Sequence, residues 1–339
     1  MRRRTWISLA VVVAVLAALV VAIFLRKKAP PEVARLLPEA DAMVYFNLQP
    51  LRELTRFDRH PVAHDPGYQA FIDATGIEFE RDLDQAAFAV QRLSDPKGPN
   101  GPLAYSEVFE GRFDGPRLTR YLSTQAATTD PYAGHQIYSI PHDGRTVRIA
   151  ILGYDLVAVS NTPTPEQIHS IIDRYHSAAS PFSGNTLLSK YYSNVPLLSE
   201  AWGIGAIGLP FASNQQDQQF RVFGLPLPLP ADSTFIASVR YVGAIHFRLE
   251  EIAPSANAAK ETVTMANLAL GMLRSVQVTA GPQDASVKDW KALLHSTKVE
   301  QKGNRAILRS VVPVRLVRSL LSNRHAGDVA VPGGNQPQP

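Results

Sequence analysis

The longest apolar run in the chain is Thr5 to Leu25, in which no charged residue interrupts Trp-Ile-Ser-Leu-Ala-Val-Val-Val-Ala-Val-Leu-Ala-Ala-Leu-Val-Val-Ala-Ile-Phe-Leu after the threonine. A helix rising about 1.5 Å per residue crosses a hydrocarbon core of about 30 Å over such a length. The pattern therefore predicts an N-terminal transmembrane helix, with Trp6, Val13, Leu19 and Phe24 spaced along the span. Cleavable signal peptides have about 7 to 15 apolar residues and then a small-x-small site. This run instead meets Arg26-Lys27-Lys28, so residues 1–28 read as an uncleaved signal anchor. Arg2, Arg3 and Arg4 balance those three cations, and the positive-inside rule does not set the orientation. A short basic N-terminus before a long apolar run favours translocation of the large C-terminal part.

Beyond the anchor the periodicity alternates between 2 and 3.6. After a short stalk, Ala29 to Glu32, alternation predicts strands at Met43–Leu48, Ala86–Leu93, Ala104–Phe113, His135–Ile140, Thr146–Leu152 and Leu156–Ser160. Asp143-Gly144 reads as a hairpin turn, and Ser94 to Pro102 is too rich in Pro and Gly for regular structure. Helices are expected at Tyr68–Thr75, stopped by Gly76, at Pro116–Thr124, and after Thr164-Pro165-Glu166, where Ile168, Ile171 and Ile172 share a face. Residues 181–230 are irregular and end in Leu225-Pro226-Leu227-Pro228-Leu229-Pro230, a stiff connector. Then follow strands Thr234–Val242 and Ala244–Glu250, helices Ser255–Arg274 and Ser286–His295, a hairpin Lys298–Gln301 with Arg305–Val312, and a helix Pro313–Leu321.

The expected fold is α+β, a mixed, largely antiparallel α/β ectodomain behind the transmembrane helix. Its parts are a first half at 29–180, the connector at 181–230, a second half at 231–322 and a polar tail at 323–339. Leu37-Pro38 with Asp41 and Leu229-Pro230 with Asp232 each precede a strand, and helix, hairpin and helix recur at 116–178 and 286–321. These parallels suggest two diverged repeats.

Charge changes one inference. The net charge is +4, but six of the 34 Lys and Arg flank the anchor, which leaves 28 against 30 Asp and Glu. Nucleic-acid binding thus has no electrostatic basis. The absence of cysteine excludes disulfides, thiolate metal sites and a cysteine nucleophile.

Candidate chemistry is sparse. Gly203-Ile204-Gly205-Ala206-Ile207-Gly208 matches a dinucleotide-binding fingerprint, yet Leu209-Pro210-Phe211 follows where a helix should start, so a glycine-rich strand or bend is expected. Asp58, His60, His64 and Asp65 are metal-compatible, but Pro61 and Pro66 break the helix that would align the histidines, which favours a solvated loop. Glu78, Glu80, Asp82 and Asp84 alternate, so on an extended segment all four carboxylates would point to one side and could hold calcium or form a catalytic pair; the missing calcium-loop glycine and mutual repulsion favour a solvent-facing edge or turn. His60, His64, Asp82 and Asp84 are the metal candidates; no catalytic or cofactor-binding residue is assigned and no cofactor is expected. Ser94-Asp95-Pro96-Lys97 spells S-x-x-K, but its proline forbids the helix that pairing needs. Helix 255–274 carries Val263, Ala266, Leu270 and Leu273 on one stripe and Met265, Ala269 and Met272 on the next. That breadth suits packing on a sheet, or a groove for a lipid or peptide.

The basic N-terminus and anchor, Leu36-Leu37-Pro38-x-x-Asp41 before a strand, Thr75-Gly76-Ile77, Asp82-Leu83-Asp84 and the closing hairpin and helix Val299–Leu321 together resemble uncharacterised bacterial membrane-anchored proteins of the domain-of-unknown-function kind. The resemblance implies a single pass through the bacterial cytoplasmic (inner) membrane and an extracytoplasmic ectodomain, with no family active site to carry over. The expected function is a non-catalytic envelope protein that binds a protein or envelope component. A hydrolase built from scattered His, Asp and Glu, and a carrier of lipid or another hydrophobic ligand, are the alternatives.

Overall fold

The computed structural model describes residues 29–55, 64–177, 184–206, 220–222, 225–227, 232–275 and 285–316. The anchor with Trp6, Val13, Leu19 and Phe24, the segment with Asp58 and His60, and the tail lie outside the described residues. Among the described residues, no helix is long and apolar enough to cross a membrane.

In chain order the elements are α1 (Glu32–Leu36), β1 (Ala42–Asn47), α2 (Leu48–Thr55), α3 (Pro66–Thr75), α4 (Phe79–Asp82), β2 (Leu83–Arg92) and β3 (Leu103–Gly111). Next come α5 (Gly115–Gln125), β4 (Thr128–Tyr132), β5 (His135–His142), β6 (Arg145–Ile151), β7 (Leu156–Ser160), α6 (Glu166–His176), α7 (Thr186–Tyr191) and β8 (Ala201–Ala206). The short strands β9 (Phe220–Val222) and β10 (Leu225–Leu227) precede β11 (Thr234–Tyr241), β12 (Ile245–Ile252), α8 (Ala256–Ser275), α9 (Ala285–Ser296), β13 (Lys298–Lys302) and β14 (Arg305–Val312). The fold is α+β with antiparallel pairing, and it clusters into two compact units. The first takes the chain up to Tyr45 and Gln85–Leu198; the second takes Phe46–Asp84 and Ser199 onward. Residues 46–84, read from the sequence with the first half, therefore belong to the second unit.

In the first unit the strand order is β1-β2-β3-β7-β6-β5-β4. Both β-hairpins of the β4-β5-β6 meander close on a left-handed pair, Ala133 (φ 44°) with Gly134 (φ 85°) and Asp143 (φ 47°) with Gly144 (φ 74°). Such a pair matches the twist of the flanking strands. Strand β4 is exposed, ends the sheet order and accommodates Pro131, as an edge strand can. Helix α6 buries Ile168, Ile171 and Ile172 against β6 and β7, on the face that the sequence spacing selects.

The stalk expected at Ala29–Glu32 leads straight into the core, since α1 buries Val33, Ala34 and Leu36. This explains the Leu-Leu-Pro-x-x-Asp motif. Leu36 and Leu37 are core side chains, and the Pro38 carbonyl accepts from Asn185 Nδ2 at 2.9 Å. Asp41 accepts from the backbone N–H of Arg92 at 2.8 Å and from its guanidinium at 2.8 and 3.0 Å. Asn185 is fully buried and also caps α7, its Oδ1 accepting from Leu188 N at 3.1 Å.

In the second unit the order is β13-β14-β12-β11-β8. Directly opposed residues share a face, so the registers define two surfaces. One face carries Trp202, Ile204, Ile236, Glu250 and Ile307; the other carries Phe235, Leu249, Glu251, Ala306 and Leu308. Gln301 is opposite Ala306 on that second face and donates to the Ala256 carbonyl at 2.8 Å, which puts the first turn of α8 over it. Helix α8 packs on β13 and β14, and α9 packs on β14.

Asn185→Ala removes a helix cap and leaves the buried Pro38 carbonyl without its donor. The expected loss is about 2–4 kcal/mol, read from the urea unfolding midpoint of the full chain.

Candidate functional site

The charged corner at residues 64–84 holds the sequence's metal candidates, and local backbone chemistry decides where each points. Asp65 caps α3, its Oδ1 accepting from Gly67 N and Tyr68 N at 2.9 Å each, with Pro66 in the first turn. Gly76 ends the helix in the left-handed region at φ 75°. Of the edge or turn that the sequence allows next, the structure has the turn: Phe79–Asp82 form the single helical turn α4. The Asp82 side chain accepts from Glu78 N at 3.0 Å while its own N–H donates to the Glu78 carbonyl at 2.7 Å, which closes the turn from both ends. Phe79 then stacks on Tyr68, ring centroids 5.2 Å apart, and meets Phe71 at 5.4 Å.

The turn scatters the carboxylates. Asp82 is buried and held by Arg81 at 2.6 and 2.9 Å, and Asp84 pairs with Arg52 at 3.0 Å. Among the described residues, the ligand-capable atoms that converge belong to His64, Glu78 and Glu80, all within 4.8 Å of one another. His64 is thus brought to a carboxylate pair, but not to Asp82 or Asp84. A histidine nitrogen and two carboxylate oxygens are competent to hold a divalent cation. Here, however, Glu80 Oε2 accepts from the Tyr68 hydroxyl at 2.7 Å, and Glu78 Oε2 faces Arg81 at 3.2 Å. His64 Nε2 lies 3.7 Å from Glu80 Oε1. The Tyr68 hydroxyl also accepts from Phe79 N at 2.7 Å, and its pKa is raised by burial and then by the Glu80 bond. The phenol therefore serves as a structural cross-link, not as a proton source at neutral pH.

The other motifs resolve simply. Gly203 and Gly205 lie in β8 opposite Ala237 and Phe235, a strand as expected, while Gly208 lies outside the described residues. In the Ser94–Lys97 segment, Asp95 Oδ1 accepts from Lys97 N at 3.2 Å, and no helix aligns the serine with the lysine. Burial raises the pKa of the Glu107 carboxyl.

Two features of the second unit stand out. Along α8, Ala259 and Leu270 are buried, whereas Met265, Leu268 and Met272 are 39, 53 and 48% exposed. Their i, i+3, i+7 spacing makes one apolar stripe. The other feature is a pair of adjacent buried carboxyls in β12. Glu250, 1% exposed, is gripped by Arg248 and by Arg305, the latter at 2.5 Å. Glu251, 2% exposed, accepts one bond from the Ser233 hydroxyl at 2.8 Å, and its Oε2 has no partner. The sequence places Met265 and Met272 on one stripe with Ala269 and favours packing on a sheet, so it marks the two methionines but not their exposure or Leu268; the buried Glu251 carries no sequence signal.

No protein-family model matches the chain, and no curated protein matches it. Among solved structures it is similar to TP0453. Crystal form I matches with a TM-score of 0.48 and 13% identity over 88% of this chain and 98% of that one. Form III gives 0.46 and 12% over 87% and 99%, and form IV 0.46 and 12% over 87% and 98%. No activity or partner follows from a likeness of this degree.

Tyr68→Phe strips a donor from Glu80 and an acceptor from Phe79 N and is expected to destabilise the full chain by about 1–2 kcal/mol. EDTA is expected to leave the thermal midpoint unchanged. A midpoint that falls on chelation and returns with zinc would make His64, Glu78 and Glu80 a metal centre.

Proposed function

We propose that the chain is a non-catalytic, membrane-anchored protein of the bacterial cell envelope, whose second unit binds an apolar envelope component through the exposed face of α8. The observation that carries the reading is the stripe Met265, Leu268 and Met272. These three side chains form one exposed apolar row on the 20-residue α8, on a helix that also packs on the sheet. Contiguous exposed apolar side chains mark an interaction surface more often than a bare one. Methionine suits such a surface because its unbranched, polarizable side chain adapts to varied partners.

The polar candidates support a binding role over a hydrolytic one. Asp65 caps a helix, Asp82 closes a turn, Asp84 pairs with Arg52, and Glu80 anchors Tyr68. Each performs structural work that a proton-transfer cycle would interrupt. Anchoring by the apolar run at Thr5–Leu25 confines the ectodomain near the bilayer, so that weak contacts suffice. The ectodomain lies outside the cytoplasm on this reading.

A photo-crosslinking residue at Leu268 of the full chain in intact cells is expected to give a discrete adduct. The same residue at Tyr154, which is 87% exposed in the first unit, is expected to give none. Equal labelling from both positions, or none from either, contradicts the reading.

A further inference from the structure

We propose that the layer between α8 and the second unit's sheet is a binding site for a single-chain amphiphile with a cationic ammonium head, and that Glu251 is the residue that receives the head. The inference goes beyond the outward stripe proposed above and concerns a second, inward-facing site of the same unit.

The argument starts from the contrast between two neighbours. Glu250 and Glu251 are equally buried but point to opposite faces of β12, as consecutive strand residues must. Burying a carboxylate is costly unless it is paired and hydrogen-bonded. On its face, Glu250 has two guanidiniums, those of Arg248 and Arg305. On the other, Glu251 has one neutral hydroxyl and a second oxygen with no partner. The residues directly opposite it are Phe235 and Ala306, neither of which can donate from its side chain. What Glu251 lacks is a donor carrying positive charge, and among the described residues none bonds to it.

The surroundings say what else the ligand must be. From Glu251 the same face continues along β12 through Leu249 and Phe247, both half-buried, and across to Tyr241, which is 41% exposed. A row of apolar side chains, with the buried Ile245 opposite Tyr241, therefore separates the buried carboxyl from the exposed end of the strand pair. A head that is cationic and a tail that is a single hydrocarbon chain satisfy both ends. An anionic amphiphile such as a fatty acid would set two negative charges together and is disfavoured by this site.

The test uses the full chain in lipid nanodiscs with two photoactivatable ligands, decylamine and decanoate, each carrying a diazirine at the tail end. The amine is expected to label peptides from 245–252 and 305–312 at least about tenfold more than the acid, and Glu251→Gln is expected to bring the two within about twofold. Equal labelling of the wild-type chain by amine and acid overturns the cationic-head assignment and leaves an apolar site standing. A preference that survives Glu251→Gln overturns the role of Glu251. Labelling of neither peptide by either ligand overturns the site between α8 and the sheet, and leaves the outward stripe to the crosslink at Leu268. The wild-type comparison decides the assignment even if the variant folds poorly.

Discussion

A β-strand presents consecutive side chains to opposite sides, and in Ile245–Ile252 that constraint places two glutamates in two different environments. One is enclosed between arginines on a face shared with Trp202, Ile204, Ile236 and Ile307. The other is turned into the apolar layer that α8 covers. A one-residue slip of β12 would exchange them, separating Glu250 from Arg305 on β14, while Arg248 on the same strand would move with it. The eight-residue pairing of β12 with β14 is therefore held by electrostatics as well as by apolar burial. The helix layer then leaves a methionine stripe outward and an unpartnered carboxyl inward, and the functional reading rests on this pair.

The first unit is organised by a different contact. Its Leu36-Leu37-Pro38 segment delivers two leucines to the core and a carbonyl to Asn185, across a sequence separation of 147 residues. Asp41 then fixes Arg92 through backbone and side chain together. The motif near the start of the described residues is thus a folding device, and the same holds for the acidic run at 78–84.

Most of the fold was legible where periodicity and turn chemistry agreed. The hairpin at Asp143-Gly144, the stop at Gly76, the isoleucine face of α6 and the pair β13-β14 all follow from residues that permit few alternatives. The misses share a physical cause. Helices α1 and α7 are five and six residues long, too short to display a period, and their signals were a preceding Pro31 and the cap Asn185. Strand β4 is exposed on both sides and has no apolar alternation to read. Residues 79–82 fold as a turn because Asp82 bonds back to Glu78, a local competition that strand periodicity does not express. The candidate site was half visible: composition showed the methionines, but burial of Glu251 is a tertiary property.

The most direct measurement is methionine oxidation by a short peroxide pulse, compared between intact envelopes and the purified full chain. Met43 is buried and serves as the internal reference, while Met265 and Met272 are exposed on α8. The account predicts that Met265 and Met272 oxidise readily in the purified protein and are protected in the envelope, with Met43 slow in both. Equal oxidation of the two α8 methionines in both settings would contradict it.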